Sequence, residues 1–160
     1  MRLVIQRVNL AKVSTGGKVV GEIGKGLFLL VGVGREDKVT QISAMAQKCV
    51  NLRLMADSEG KMNLSVKDAK AEMLVVSQFT LYADTSSGRR PSFVQAATPE
   101  VAEEIYQKFV KSLESEGIKV ETGRFGSYMN IEAELDGPVT IILDSSQKAA
   151  GKQDSRADKY

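Results

Sequence analysis

The sequence predicts one α+β domain with a mostly antiparallel β-sheet of six or seven strands and two helices. Three observations lead to this prediction. Short β-type runs dominate the chain, the two helical patterns do not alternate strictly with the strands, and 160 residues with 42% hydrophobic content suit one domain with a genuine core. We place this domain at residues 1–145 and expect a disordered basic tail over residues 146–160.

The first half of the chain predicts a hairpin, a central strand and a helix. A β-rich run ends near Val13, and Gly16-Gly17 supply a hairpin turn before a strand at residues 19–23. Residues 27–31 (LFLLV) form a continuous apolar run, which is typical of a strand buried on both faces. Apolar residues then recur at three- and four-residue spacings over residues 39–52, which predicts an amphipathic helix.

The second half predicts further strands around one helix. Thr98 suits the N-cap and Pro99 the first helical position, while Gly117 suits the helix end. The helix lies between strands predicted, by their β-type runs, at residues 52–56, 73–83, 118–122, 128–135 and 139–144.

The absence of histidine limits the chemistry available to the chain. Ser-His-Asp and Cys-His nucleophiles need an imidazole, so these classes of hydrolase are excluded. Cys49 is the single cysteine, which rules out an internal disulfide, fits a reducing compartment and leaves too few ligands for a structural zinc site. We expect no cofactor and no metal, although the sequence leaves an all-oxygen Mg²⁺ or Ca²⁺ site open.

Charge and hydropathy indicate a soluble, cytoplasmic protein. No apolar run approaches the roughly 20 residues that span a bilayer, and the N-terminus lacks the apolar core of a signal peptide. Residues 1–145 carry 18 basic and 18 acidic side chains, so the body lacks the basic character of a protein that coats nucleic acid. A limited contact with one RNA end stays open, and the tail could add to it electrostatically.

Several short motifs have an ordinary structural interpretation. The glycines of residues 21–26 and 32–34 miss the spacing of a phosphate-binding loop and favour turns. Residues 57–60 (DSEG) favour a β-turn over a calcium loop, because no series of ligands follows. Gly137-Pro138 fits a hairpin turn, and the sequence leaves the isomer of the Gly-Pro bond open.

A polar cluster ends the apolar strand predicted at residues 73–83. Strand alternation would place Ser77 and Phe79 on one face and Gln78 and Thr80 on the other. A polar loop of about 14 residues follows and contains Arg89-Arg90, a pair that could bind phosphate or form a solvated turn. We interpret the cluster as a candidate binding site, because functional residues often lie on loops held by a rigid scaffold.

Six motifs in order closely resemble the bacterial D-aminoacyl-tRNA deacylase family. They span the chain from Met1 to about Ser145 and read IQRV at residues 5–8, GKMN at 60–63, SQFTLYA at 77–83, RPSF at 90–93, TGRF at 122–125 and GPVT at 137–140. Together they are far more specific than any single motif.

The resemblance implies a homodimer that hydrolyses the ester between a D-amino acid and the terminal adenosine of tRNA, and that also accepts the glycine ester on tRNA-Ala. A cis Gly137-Pro138 is expected to reach into the partner's pocket, where main-chain oxygens exclude an L side chain, and Arg7 to hold the dipeptide. Leu135 stands where the family usually has asparagine, which predicts looser chiral selection.

The resemblance also implies the residues of the pocket. Around the reacting ester, as the catalytic group, it places Ser77, Gln78, Phe79 and Thr80. It assigns the adenosine side or the facing wall to Ala96, Phe125 and Met129. The expected mechanism uses no side-chain nucleophile, because the 2′-hydroxyl of the RNA helps to activate water and pocket amides stabilise the oxyanion.

Two other functions remain as alternatives. An esterase for small acyl compounds would hydrolyse a free amino-acid ester well, whereas the RNA-assisted mechanism predicts poor turnover of such an ester. A non-catalytic module that binds an RNA end or a protein would bind without turnover.

Overall fold

A six-stranded sheet with two α-helices packed on one face forms the body of the computed structural model, which describes residues 1–146. The predicted tail lies outside the described residues except for Ser146. The strands are β1 (Arg2–Thr15), β2 (Lys18–Ile23), β3 (Gly26–Gly32), β4 (Met55–Ala56), β5 (Met62–Leu64), β6 (Glu72–Ser77), β7 (Val120–Thr122) and β8 (Asn130–Asp144). The α-helices are α1 (Ile42–Asn51) and α2 (Pro99–Ser115), and short 3₁₀ helices cover Val39–Gln41 and Phe79–Tyr82.

The long strand β1 organises the sheet. β8 pairs antiparallel with one edge of β1, while β3 and then β2 pair antiparallel with its other edge. β6 lies parallel to β3, and β7 lies parallel to β6. The predicted mostly antiparallel sheet is therefore corrected to a mixed one. Parallel neighbours need a crossover connection, and α1 and α2 supply the two crossovers.

The strand count also differs from the prediction of six or seven. Residues 1–146 contain eight strands, because β4 and β5 form a separate two-stranded sheet. β5 was not predicted, because its three residues are too few for an alternating pattern to be recognised.

Alternation along the central strand separates the core into two clusters. From β3, Leu27, Leu29 and Val31 face the helices, while Phe28 faces the other side of the sheet. On the helix side, the buried Phe109 of α2 belongs to the larger cluster. The predicted central strand buried on both faces is confirmed.

Turns and helix ends follow the predicted chemistry in most places. Gly16 and Gly17 have positive φ angles of 55° and 77° and join β1 to β2, as predicted. Helix α2 begins at Pro99 as predicted, but the side chain of Thr98 makes no capping hydrogen bond, and its carbonyl oxygen accepts a 2.8 Å bond from the N–H of Ala102. Gly117 has φ 83° just after the helix.

Two predicted strand boundaries are wrong. β6 ends at Ser77 and not at residue 83, because Phe79–Tyr82 turn into a 3₁₀ helix. β8 is one strand instead of the two predicted at residues 128–135 and 139–144. Both of its halves pair antiparallel with β1, so the hairpin interpretation of Gly137-Pro138 is wrong. The pairing of β1 with β8 is interrupted at Arg7: Val8 lies opposite Leu135, and Gln6 lies opposite Thr140. Residues 136–139 therefore form a bulge opposite Arg7.

Candidate functional site

An open cleft of ≈ 840 Å³ lies where the end of β6 meets the start of α2 and the segment that leads into β8. Seven residues predicted for the site line this cleft together: Ser77, Gln78, Phe79, Thr80, Ala96, Phe125 and Met129. Arg7, Gly137 and Pro138 do not line it in this chain.

The end of β6 gives the cleft its polar groups. The N–H of Gln78 donates a 2.8 Å hydrogen bond to Val31 O, which extends the parallel ladder by one residue before the backbone turns. The predicted strand alternation from Ser77 to Thr80 is therefore wrong beyond this point. In the turn, Gln78 Nε2 lies 2.6 Å from Thr80 Oγ1 and donates to it. Both side chains consequently belong to one small polar group at the cleft.

One glycine, Gly34, allows the chain to pack closely around this group. A Cβ on Gly34 would lie 2.7 Å from the ring of Tyr82, so glycine makes room for the end of the 3₁₀ helix. Gly34 also pairs with Ala96, and the N–H of Ala97 donates a 3.0 Å bond to Val33 O. This short pairing places Ala96 in the cleft. Gly34 therefore serves close packing and pairing.

Aromatic side chains form much of the remaining wall. The Phe79 and Phe93 rings meet edge to face with centroids 4.9 Å apart, and those of Tyr106 and Phe125 lie 5.9 Å apart. The Tyr106 hydroxyl donates a 2.8 Å hydrogen bond to Val75 O. Burial raises the pKa of Tyr106, so its phenol stays protonated at neutral pH and anchors the wall instead of acting as a base.

Met129 reaches the cleft in close contact with Gly123. A Cβ on Gly123 would lie 2.6 Å from Met129 Sδ, which is too close for any other residue without movement. Between them, the N–H of Ser127 donates a 3.2 Å bond to Arg124 O, and Gly126 has φ 69°. This tight turn brings Phe125 and Met129 to the same wall.

The described lining of the cleft contains no aspartate, glutamate, lysine or arginine side chain. Its titratable groups are the phenols of Tyr106 and Tyr128. Over residues 1–146, no group of three or more His, Cys, Asp or Glu side chains is arranged to hold a metal ion. The cleft can therefore bind through apolar surface, hydroxyl and amide groups, and backbone donors, but it offers no side chain suited to acid–base catalysis at neutral pH.

The Gly137-Pro138 segment is held by a separate, charged arrangement. The peptide bond between these residues is cis, and both residues are exposed. Beneath the bulge, Arg7 is only 8% exposed; its Nε lies 2.9 Å from Asp136 Oδ2, in an ion pair whose angle does not suit a hydrogen bond. Arg7 Nη1 also donates a 2.9 Å bond to Leu54 O. Arg7 thus ties the bulge to the start of the β4 segment.

Tyr106 is a cleft residue on the buried face of α2 that was not predicted for the site. Its hydroxyl among apolar neighbours was the available signal, because a buried tyrosine O–H usually needs a hydrogen-bond partner. Phe93 and Tyr128 also line the cleft without having been predicted as site residues.

A second, smaller cavity of ≈ 190 Å³ contrasts with the cleft because charged groups line it. Asp37 Oδ2 accepts hydrogen bonds from the N–H of Gly34 at 2.6 Å and from the Tyr82 hydroxyl at 3.2 Å, while its Oδ1 contacts the amino group of Met1. Desolvation and, second, the Asp37 charge raise the pKa of Tyr82. These groups satisfy one another, which indicates a structural role.

Comparisons with known proteins agree on one family. The family model described as D-Tyr-tRNA(Tyr) deacylase matches residues 4–144. A D-aminoacyl-tRNA deacylase of Dehalococcoides mccartyi is 52% identical over 153 residues, covering 96% of this chain and all of the relative. One from Fervidobacterium nodosum is 50% identical over 147 residues, covering 92% of this chain and 99% of the relative.

Two solved structures have the same fold. One, described as a c-Myc DNA unwinding element binding protein, superposes with a TM-score of 0.84 at 38% identity and covers 90% of this chain and 98% of its own. The other, described as a probable eukaryotic D-amino acid tRNA deacylase, has a TM-score of 0.76 at 16% identity and covers 89% and 97%. At 16% identity the second structure supports the fold alone.

Proposed function

The chain belongs to the D-Tyr-tRNA(Tyr) deacylase family, and on this premise we propose that it hydrolyses the ester bond of D-aminoacyl-tRNA to free D-amino acid and tRNA. The observation that carries the proposal is the gathering of seven predicted site residues in one cleft lined by no charged side chain over residues 1–146. Hydrolysis in such a cleft depends on positioning and fixed dipoles.

In the proposed reaction, water attacks the ester carbonyl with help from the neighbouring 2′-hydroxyl of the terminal adenosine. The negative charge that develops on the carbonyl oxygen needs fixed donors. The first hydrogen bond within the 3₁₀ helix runs from Leu81 N to Gln78 O at 3.3 Å. The N–H groups of Phe79 and Thr80 lie before it and make no bond within the helix, so they are the proposed donors to the carbonyl oxygen. Such a donor typically lowers the barrier by ~3–4 kcal/mol.

The same proposal gives the aromatic and apolar wall a binding role. Phe125, Met129 and Ala96 would contact the adenosine or the face of the aminoacyl group, because they lie in one cleft with the ester-binding residues. Apolar walls with a few placed polar groups are typical of small-ligand pockets. Broad tolerance of the amino-acid side chain would follow if the ester and the α-carbon are the groups recognised.

Chiral selection is assigned to Gly137-Pro138 of a second subunit in a homodimer. The dipeptide is exposed and lies outside its own chain's cleft. Within residues 1–146, β8 is a sheet edge, with Leu135 47% and Ile142 63% exposed. An unpaired edge with apolar side chains favours association. Main-chain oxygens of the dipeptide would then exclude an L side chain, while glycine esters, including glycyl-tRNA-Ala, would fit.

Arg7 is proposed as the residue that holds the chiral filter, through its ion pair with Asp136. This anchor does not involve position 135, where the side chain of Leu135 is half exposed beside Val8 on the ladder. The substitution Leu135→Asn tests the expected looser selection. If Leu135 loosens the filter, the variant should lower the hydrolysis of L-tyrosyl-tRNA relative to that of D-tyrosyl-tRNA.

The decisive assay measures the deacylation of D-tyrosyl-tRNA and L-tyrosyl-tRNA by the purified protein, with a chelator in a parallel reaction. We expect loss of the D ester alone, at the same rate with and without chelator. A free D-tyrosine ester is the control, since rapid turnover of that compound would favour the small-ester esterase. Binding of tRNA without turnover would favour the non-catalytic module. A substrate on tRNA also places the proposed function in the cytoplasm.

Mixing two variants tests whether the filter acts across subunits. Ala96→Trp fills the cleft but leaves Gly137-Pro138 intact, and Asp136→Ala frees the dipeptide but leaves the cleft intact. If the filter acts across the dimer, mixed dimers pair the open cleft of one variant with the intact filter of the other. L-tyrosyl-tRNA hydrolysis per open cleft should then fall on mixing; an unchanged value would overturn the cross-subunit assignment.

A further inference from the structure

Tyr128 is the most exposed large hydrophobic side chain among the described residues, at 88%, yet it lines the cleft. Its neighbours Phe125 and Met129 are partly buried in the wall, and burial alternates from residue 125 to residue 129. The ring therefore projects outward at the rim, beyond the wall that the proposed function assigns to the terminal adenosine.

The backbone holds Tyr128 in place although its ring is free. Thr15 Oγ1 donates a 3.1 Å hydrogen bond to Tyr128 O, and the preceding turn is closed by the 3.2 Å bond from Ser127 N to Arg124 O. An aromatic ring on a fixed backbone loses little conformational freedom when a flat partner covers it. The position is thus suited to bind a planar group.

Charge near the ring favours RNA as the occupant. Arg124 lies in the same turn, is exposed and makes no ion pair within residues 1–146. Single-stranded RNA is typically bound by aromatic faces that stack on bases, combined with arginines near the phosphates. A neutral protein body makes such local contacts more important for the grip on the RNA end.

We propose that Tyr128 stacks on the base of the nucleotide preceding the terminal adenosine of the tRNA, and that Arg124 contacts the adjoining phosphate. This inference rests on the proposed function, since the substrate must enter the cleft by its 3′ end. When the terminal adenosine binds against Phe125 and Met129, the nucleotide before it lies at the rim of the cleft, where the Tyr128 ring is.

A double-mutant cycle between protein and RNA tests this stacking. The probes are two short hairpin RNAs with a single-stranded CCA end, one unmodified and one abasic at the penultimate nucleotide, and the measurement is their Kd. We expect Tyr128→Ala to weaken binding of the unmodified RNA by about 5- to 50-fold, as expected for the loss of one stacked base. The abasic RNA should bind both proteins about equally.

Two matched variants separate the ring from its hydroxyl and its apolar bulk. Tyr128→Phe keeps the ring and should bind the unmodified RNA like the wild type, whereas Tyr128→Leu should resemble Tyr128→Ala. Arg124→Gln should make the plot of log K against log salt concentration less steep by about one unit of slope, which is the effect of removing one phosphate contact. Additive effects of Tyr128→Ala and the abasic site would overturn the proposal.

Two controls distinguish the possible failures. If the wild type does not hydrolyse the D-tyrosyl form of the hairpin, the proposed function fails and this inference fails with it. If the wild type is active but the cycle shows no coupling, this inference alone fails. Loss of the dimer on Tyr128→Ala in sedimentation, with equal binding of both RNAs by the wild type, would show that a second copy of the chain covers the ring.

Discussion

Within residues 1–146, the cleft is lined by no charged side chain, whereas the Gly137-Pro138 bulge is held by a largely buried arginine paired with a carboxylate. The cleft orders its polar groups through backbone bonds, such as the one from the Tyr106 hydroxyl to Val75 O. The bulge cannot do so, because residues 136–139 leave the regular register with β1. In this fold, charged side chains hold the irregular backbone of the bulge, whereas the described lining of the cleft, where the chemistry is proposed, carries no charged side chain.

The largest expected effect comes from removing the charge beneath the bulge. Arg7→Met keeps the side chain's bulk but leaves Asp136 unpaired and Leu54 O without its donor. We expect the free energy of unfolding to fall by about 3 kcal/mol, at the low end for a broken buried pair because Asp136 is 31% exposed. Urea denaturation measures this change.

The control for this prediction lies on the same strand. Lys12 pairs with Glu132 at 3.0 Å, but the two side chains are 33% and 66% exposed, whereas Arg7 is largely buried. Lys12→Met should therefore change the free energy of unfolding by about 1 kcal/mol or less. If Arg7→Met and Lys12→Met lowered the free energy of unfolding equally, the Arg7–Asp136 pair would be no more important to the fold than an ordinary surface pair, contrary to the prediction.

Removing a single hydroxyl from the cleft wall should have the next largest effect. Tyr106→Phe deletes the hydrogen bond to Val75 O and leaves that side of the wall without its anchor. We expect a loss of about 1–1.5 kcal/mol in the free energy of unfolding, measured by thermal and urea denaturation. Tyr128→Phe is the matched control, and its hydroxyl should contribute nothing measurable to stability. A shift in the pH dependence of deacylation on Tyr106→Phe would contradict the assignment of this phenol as a structural group.

A smaller effect is expected at the polar group of the cleft. Thr80→Ala removes the oxygen that accepts the bond from Gln78 Nε2, so kcat/KM for D-tyrosyl-tRNA should fall by about fivefold, the value of one hydrogen bond near 1 kcal/mol. Thr80→Ser should restore most of the activity. A loss of about 10⁴-fold or more on Thr80→Ala would indicate a side-chain nucleophile and would contradict the proposed mechanism.

The smallest effect concerns a charge that belongs to neither region. Glu72 accepts hydrogen bonds from Lys119 Nζ at 2.6 Å and Gly24 N at 3.2 Å, and the first of these is the main cause that lowers its pKa. Because the folded pKa is lower than the unfolded one, the stabilisation is present at neutral pH and is lost as pH falls through the folded pKa. Glu72→Gln should lower the free energy of unfolding by about 0.5 kcal/mol at pH 7.

A pH series checks this prediction. The difference in the free energy of unfolding between the wild type and Glu72→Gln should shrink as the pH falls below the unfolded pKa of glutamate, about 4.3. It should vanish in stronger acid. Glu104→Gln removes an exposed pair on α2, at 2.5 Å from Lys108, and serves as the control. A difference that grows on acidification would contradict the sign of the linkage.

The sequence predicted which residues lie together in the cleft better than it predicted the path of the chain through it. The cluster from Ser77 to Thr80 was visible because polar residues end an apolar strand, and the structure places all four residues in the cleft. The 3₁₀ helix was not visible, because Phe79, Leu81 and Tyr82 have the β-type character of the strand before them. Local propensity therefore marked the position but predicted the wrong conformation.

Partner strands are the information that a sequence pattern lacks. Gly137-Pro138 between two apolar runs fits both a hairpin and a bulge, and only the pairing of both runs with β1 decides between them. For the same reason, the parallel pairing of β6 with β3 and β7 was not predicted, because the sequence of a short apolar strand does not show in which direction its neighbours run. Tyr106 was not predicted for the site, because the acceptor of its hydroxyl, Val75 O, lies on a strand 31 residues earlier in the sequence.

The pairing of β1 with β8 has a consequence for the order in which the chain can fold. Arg2 contacts Asp144 across 142 positions of sequence, so one edge of the first strand stays open until nearly all of the described chain has been synthesised. The hairpin of β1 and β2 can form early, since its contacts are local. Until β8 arrives, the nascent chain exposes an unpaired, apolar strand edge, which is the kind of surface that aggregates or recruits chaperones.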